Sequence, residues 1–128
     1  MITFEQVADW ILANRRRNAF IGYEKHEIVA ELMERVDYDL AWVHEINDKI
    51  LGVVTADQVD VNNRPTIFVR NCLIVDARIL PMFLEKYKQN YPGFPMTARH
   101  HGKIITVNVD RVLRVVYRQL CAVNPQLN

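Results

Sequence analysis

The chain has 128 residues, 50% of them hydrophobic and 24% charged, with a formal net charge of +1. That is enough apolar material for one core and too little chain for two, so residues 1–128 are read as a single domain ending in a frayed tail at 122–128. No apolar run approaches the ~18 residues a membrane-crossing helix needs, and the polar start around Thr3, Glu5, Gln6 and Asp9 lacks the apolar stretch of a signal peptide.

On these features a cytoplasmic protein is expected. Cys72 and Cys121 form neither a Cys-x-x-Cys spacing nor a disulfide framework, which agrees with a reducing compartment. The net charge hides a gradient. Residues 1–40 carry five basic and eight acidic side chains, residues 41–94 six of each, and residues 95–128 five basic and one acidic.

Thr3-Phe4-Glu5-Gln6 has the form of a capping box, so a helix is expected to begin at Phe4 and to end within Asn14 to Asn18. Phe4, Val7, Ala8, Ile11 and Leu12 recur at spacings of three and four and form its buried stripe. After a connection containing Gly22, Ile28, Val29, Leu32, Met33 and Val36 repeat the pattern across Glu24 to Asp37, with Glu27, Glu31 and Glu34 expected outward.

From Leu40 the period changes to two. Leu40, Trp42, His44 and Ile46 alternate with Ala41, Val43 and Glu45, and Asn47-Asp48-Lys49 turns the chain into Ile50 to Val54. Asn62-Asn63-Arg64-Pro65 marks a second turn before Thr66 to Val75, rich in β-branched and aromatic residues. The result is a three-stranded antiparallel meander.

A third helix is expected over about Ile79 to Gln89, with Pro81 in its first turn and Leu80, Phe83, Leu84 and Tyr87 inward. Met96 to His100 and Lys103 to Val109 read as two short strands around His101-Gly102. Asp110 is the expected cap of a last helix, Arg111 to Cys121, with Val112, Val115, Val116 and Leu120 inward. The fold class is α/β in the broad sense, more narrowly α+β, with a mainly antiparallel sheet flanked by helices.

This order of helix, helix, three-strand meander, helix, strand and helix is similar to that of the GNAT superfamily of acetyl-coenzyme A-dependent N-acetyltransferases. Trp42-Val43-His44-Glu45-Ile46-Asn47-Asp48-Lys49-Ile50-Leu51-Gly52-Val53-Val54 resembles that family's second and third strands, and the likeness covers roughly residues 1–120. The resemblance implies a glycine-rich turn after the fourth strand, whose amides hold the coenzyme A pyrophosphate. The matching stretch here, Asp76 to Pro81, has neither glycine and begins with an acid. An anionic ligand meets steric and charge opposition there. Short GNAT-like proteins with such an eroded loop resemble ones encoded by tailed bacteriophages, whose basic hairpin before a final helix is similar to Thr97-Ala98-Arg99-His100-His101-Gly102-Lys103. The resemblance therefore implies a host-cytoplasmic or virion location.

Two sets of candidate residues follow. Arg99, His100, His101 and Lys103 on the hairpin, with Arg111, Arg114 and Arg118 on one face of the last helix, form a positive surface for a macromolecular partner. That partner is a protein or a second copy of the chain first, nucleic acid second. If the chain were instead an acetyltransferase, the resemblance implies acetyl-coenzyme A held at Val75 and Arg78, with Glu45 as base and Tyr117 as acid.

Neither a cofactor nor a metal is expected on the leading reading. His26, His44, His100 and His101 do not have metal-ligand spacing, and adjacent His100 and His101 point to opposite faces if extended. Cys72 is expected as a small core residue, and Arg15-Arg16-Arg17 as cations opposing a helix C-terminus.

Overall fold

The structure, a computed structural model, describes residues 2–15 and 19–123; at positions 116, 117 and 119–123 it describes the backbone alone. The order of elements is α1 (Phe4–Asn14), α2 (Lys25–Val36), β1 (Ala41–Ile46), β2 (Lys49–Val61), β3 (Arg64–Ile74), a 3-10 turn (Ala77–Ile79), α3 (Leu80–Asn90), β4 (Met96–His100), β5 (Lys103–Val107) and α4 (Val109–Val123). The five strands form one mixed sheet in the order β1-β2-β3-β4-β5. All neighbours are antiparallel except β3 and β4, which α3 connects in parallel. Among the described residues no helix is long and apolar enough to cross a membrane.

Local chemistry sets most boundaries. The Thr3 hydroxyl accepts from the Gln6 amide at 3.1 Å while the Gln6 side chain accepts from the Thr3 amide at 2.8 Å, so the capping box forms and α1 starts at Phe4. Asn47-Asp48 and Asn62-Asn63 take positive φ, as does His101-Gly102. Paired left-handed residues match the twist of the flanking strands, and Asn, Asp and Gly tolerate that region best.

Two sequence expectations are corrected here. Asn108, rather than Asp110, caps α4, since its side chain accepts from the Arg111 amide at 3.0 Å. On α2, Met33 and Val36 face solvent, while Glu31 is 5% exposed. The buried arc of that helix is Ile28, Glu31 and Leu32, one step round from the purely apolar stripe.

The sheet divides two cores. On one face Val7, Ile11, Phe20, Ile28, Leu32, Val53 and Leu73 join α1 and α2 to the strands. On the other, Trp42, Val54, Ile67, Phe83, Leu84, Tyr87, Met96 and Leu113 join α3 and α4. Lys88 near the end of α3 pairs with Asp110 at the start of α4, and α4 also meets the 3-10 turn. The two helices therefore run antiparallel, and α4 climbs toward the sheet end that carries the β4–β5 turn.

Gly52 is where the second core comes closest to the sheet. A Cβ there would lie 2.7 Å from Ile79 Cδ1 and 3.0 Å from Phe83 Cε2, both on buried side chains. Gly52→Val is therefore expected to lower stability by about 1–3 kcal/mol through overpacking. Urea unfolding checks this, the expected result being a lower midpoint with an unchanged slope.

Candidate functional site

The β2–β3 register breaks at one place. Thr55 pairs with Asn71 and Ala56 with Val69, so Arg70 is an extra residue on β3. Such a bulge reverses the alternation of side chains and bends its strand. Before it, Ile67 and Val69 point toward α3; after it, Asn71 and Leu73 point toward α2. Arg70 and Asn71 thus stand side by side on the α2 face.

What they meet is Glu31. Its carboxylate accepts from Thr55 Oγ1 at 2.7 Å, Asn71 Nδ2 at 2.8 Å, Tyr23 Oη at 2.8 Å and Arg70 Nε at 3.0 Å. Arg70 also donates to Asp57 at 2.9 Å, and Arg35 donates to the other Asp57 oxygen at the same distance. Burial raises the Glu31 pKa, but the bonds from Thr55 and Tyr23, the Arg70 charge and the Asn71 bond outweigh it, leaving the carboxyl below its ordinary value. The remaining Asn71 oxygen accepts from the buried Phe20 amide at 2.8 Å. That bond, with Arg15 donating to the Phe20 carbonyl at 3.0 Å, holds Phe20 at φ +55, a conformation costly for a bulky residue.

The bulge also ends the contact between β3 and β4. They pair only at Ile67–Met96, Phe68–Thr97 and Val69–Ala98. Past Val69 the strands diverge, and between them opens a slot of about 750 Å³, within the range of ligand pockets. Its rim includes Tyr23, Arg70, Cys72, Arg99, His100 and His101, and among the described residues no carboxylate lines it. Arg70 is already paired with Glu31 and Asp57, so Arg99 is the rim cation without an acidic partner among the described residues.

The sequence-predicted residues distribute as follows. Arg99, His100, His101 and Lys103 are exposed at the β4–β5 turn, and none of them has an ion pair with another described residue. His101 is not extended: its positive φ brings the His100 and His101 rings to 4.1 Å between centroids. Register places Arg99 with Ile104 on one face of the hairpin and His100 with Lys103 on the other.

Arg111, Arg114 and Arg118 are exposed along α4, spanning about 10 Å of helix on the α3 side of the sheet. The basic residues therefore occupy one end and two faces rather than a single plane.

The residues implied for an acetyltransferase lie on different elements. Glu45 is exposed on β1, two strands and about 10 Å from β3. Tyr117 falls in α4, where its side chain lies outside the described residues, as do those of Val116, Leu120 and Cys121; Arg16, Arg17 and the tail 124–128 lie outside them altogether.

The Val75 amide donates to Leu51. The Asp76 carboxylate accepts from the Arg78 amide at 3.0 Å and grips the Arg78 guanidinium at 2.6 Å, which holds the Asp76 pKa down at about 2. The Ile79 amide donates to the Asp76 carbonyl and the Leu80 amide to Ala77. The turn has thus spent the Arg78, Ile79 and Leu80 amides on itself, while the Ala77 amide has no hydrogen-bond partner among the described residues.

Cys72 is also corrected. The residue is exposed at the slot wall rather than lying in the core, yet the groups packed around its sulfur desolvate the thiol and push its pKa up, which disfavours a thiolate nucleophile. Glu24, His26 and Glu27 have ligand atoms within 4.8 Å of one another, all exposed, but Glu27 already caps the Glu24 amide at the start of α2. Sequence reasoning missed the Glu31 cluster. The pointer was its position, three residues after Ile28 and one before Leu32 on the same helical face.

No protein family, curated protein or solved structure matches this chain.

Glu31→Gln is expected to cost about 3 kcal/mol, the low end for removing one partner of a buried ionic cluster. Because the folded pKa of Glu31 lies below its unfolded value, its stabilisation is complete above pH 4.5 and is lost as pH falls through the folded value. Denaturant unfolding from pH 7 to pH 3 should show the wild type losing stability over that window, with Glu31→Gln starting lower and declining less.

Proposed function

We propose that this chain is a noncatalytic protein of GNAT-like topology and bacteriophage type. It binds an acidic macromolecular partner, in the first place a protein, through the β4–β5 hairpin and the exposed face of α4. The observation that carries the reading is the self-closed turn from Asp76 to Leu80. An acetyltransferase of this topology needs free amides there to grip a pyrophosphate, and here the amides of Arg78, Ile79 and Leu80 are bonded within the turn while Arg78 is held by Asp76. An incoming dianion would have to displace a carboxylate that is ionised at neutral pH. The cations at the hairpin are in the opposite state, exposed and without a described acidic neighbour.

One observation favours a second reading, a divergent acetyl-coenzyme A-dependent N-acetyltransferase: two parallel strands joined by a helix diverge and leave a slot large enough for a ligand. Titration calorimetry separates the two. With acetyl-coenzyme A at millimolar concentration no heat is expected, and a micromolar dissociation constant would overturn the noncatalytic reading.

For the partner surface, fluorescence anisotropy of a labelled Asp/Glu-rich peptide should report binding that weakens steeply with salt. Arg99→Glu with Lys103→Glu should reduce that binding at least about tenfold. Equal binding by the charge-reversed variant would overturn the assignment of the hairpin. Preference for duplex DNA, lost in alanine variants of Arg111, Arg114 and Arg118, would instead support nucleic acid as the partner.

A further inference from the structure

Beyond the bulge, one hydrogen-bonding side of β3 is covered by no strand. Two bonds fix which backbone groups face the gap. The Val75 amide donates to the Leu51 carbonyl on β2, and backbone groups along a strand alternate sides, so Leu73 and Asn71 also face β2. Cys72 faces the other way, toward β4. On the opposite wall the Pro95 carbonyl accepts from the Ile67 amide, and the same alternation turns the Thr97 and Arg99 carbonyls toward β3.

The bulge is what leaves these groups unmatched. A parallel ladder continued past Val69 and Ala98 would bring the amide of Asn71 to the Arg99 carbonyl, but the extra residue Arg70 has turned that amide back to β2. Among the described residues no hydrogen bond takes the Cys72 amide or carbonyl, and Cys72 is exposed in the slot. An open strand edge therefore lies inside the sheet.

Such an edge is a template for another extended chain, since its amides and carbonyls pair with any peptide backbone. Charge then selects among peptides. Arg99 stands on the rim without an acidic partner, Lys103 follows on the same hairpin, and among the described residues no carboxylate lines the slot. Acidic side chains fit these walls and basic ones do not. Ile21 and Phe68 add apolar surface to the same rim.

We propose that the slot between β3 and β4 receives an extended acidic segment of a partner protein, added as a strand to the open edge of β3 at Cys72, with its carboxylates against Arg99. This inference rests on the reading of the basic hairpin as a protein-binding surface and names the form in which the partner arrives there.

The probe is a hexapeptide of alternating Asp and Val, capped at both ends and titrated into the ¹⁵N-labelled full-length chain to about 5 mM, enough to detect millimolar binding. In the free chain the Cys72 amide is expected to exchange readily with solvent, while those of Asn71 and Leu73, which face β2, are protected. The peptide is expected to protect the Cys72 amide and to move its proton downfield with saturation. Methylating one alternate set of the peptide's backbone nitrogens leaves its charge intact. That change is expected to weaken binding about tenfold, the worth of one or two hydrogen bonds.

Saturable, salt-sensitive binding that leaves the Cys72 amide unprotected, or that methylation of neither alternate set weakens, would overturn the added strand and leave the hairpin reading standing. A Cys72 amide already protected in the free chain would overturn the strand with no ligand or variant needed. Absence of any binding at about 5 mM would overturn both the strand and the hairpin reading.

Discussion

A single carboxylate sits where three parts of this protein meet. Glu31 comes from α2, and the groups that neutralise it come from β2, from the β3 bulge and from the α1–α2 connection. An uncompensated charge at that depth would be expelled by its desolvation cost. Four donors make it tolerable, and supplying them requires Arg70 and Asn71 to face the same way, which an unbulged strand cannot do. The bulge is thus a condition of burying the charge, and the charge is what the bulge is built around.

The rest of the sheet follows from that condition. A strand bent at Arg70 cannot stay in register with a straight parallel neighbour, so β3 and β4 part after Val69. Their parting creates the slot on the α2 face. That opening arises from one extra residue. The same network ties down the α1–α2 connection through Asn71 and Phe20, so the rim of the slot is set by the groups that neutralise Glu31.

Features governed by near neighbours in the chain were legible in the sequence. The Thr3–Gln6 capping box, the Asn47-Asp48 and Asn62-Asn63 turns, the meander they connect and the place of Pro81 in its helix each depend on a few consecutive residues. Glu31 was not, because its charge argued for solvent while its place on the helix argued for the interior, and the residues that decide between them lie 8 to 40 positions away. The stacking of His100 against His101 was hidden for a related reason: alternation holds in a strand and fails at a turn residue with positive φ. The closed state of the Asp76–Leu80 turn was half visible, since the missing glycines can be read directly, whereas the grip of Asp76 on Arg78 belongs to three dimensions.

The claim on which this account rests is that Glu31 is ionised and held by the bulge. Its most direct test is a ¹³C titration of the Glu31 carboxyl, followed alongside the amide resonances of Arg70 and Asn71. The account predicts a midpoint below the ordinary value of 4.5, with both amides moving at that same midpoint. A midpoint at or above 4.5, or amides that do not respond, would mean that burial outweighs the network and that something else bends β3.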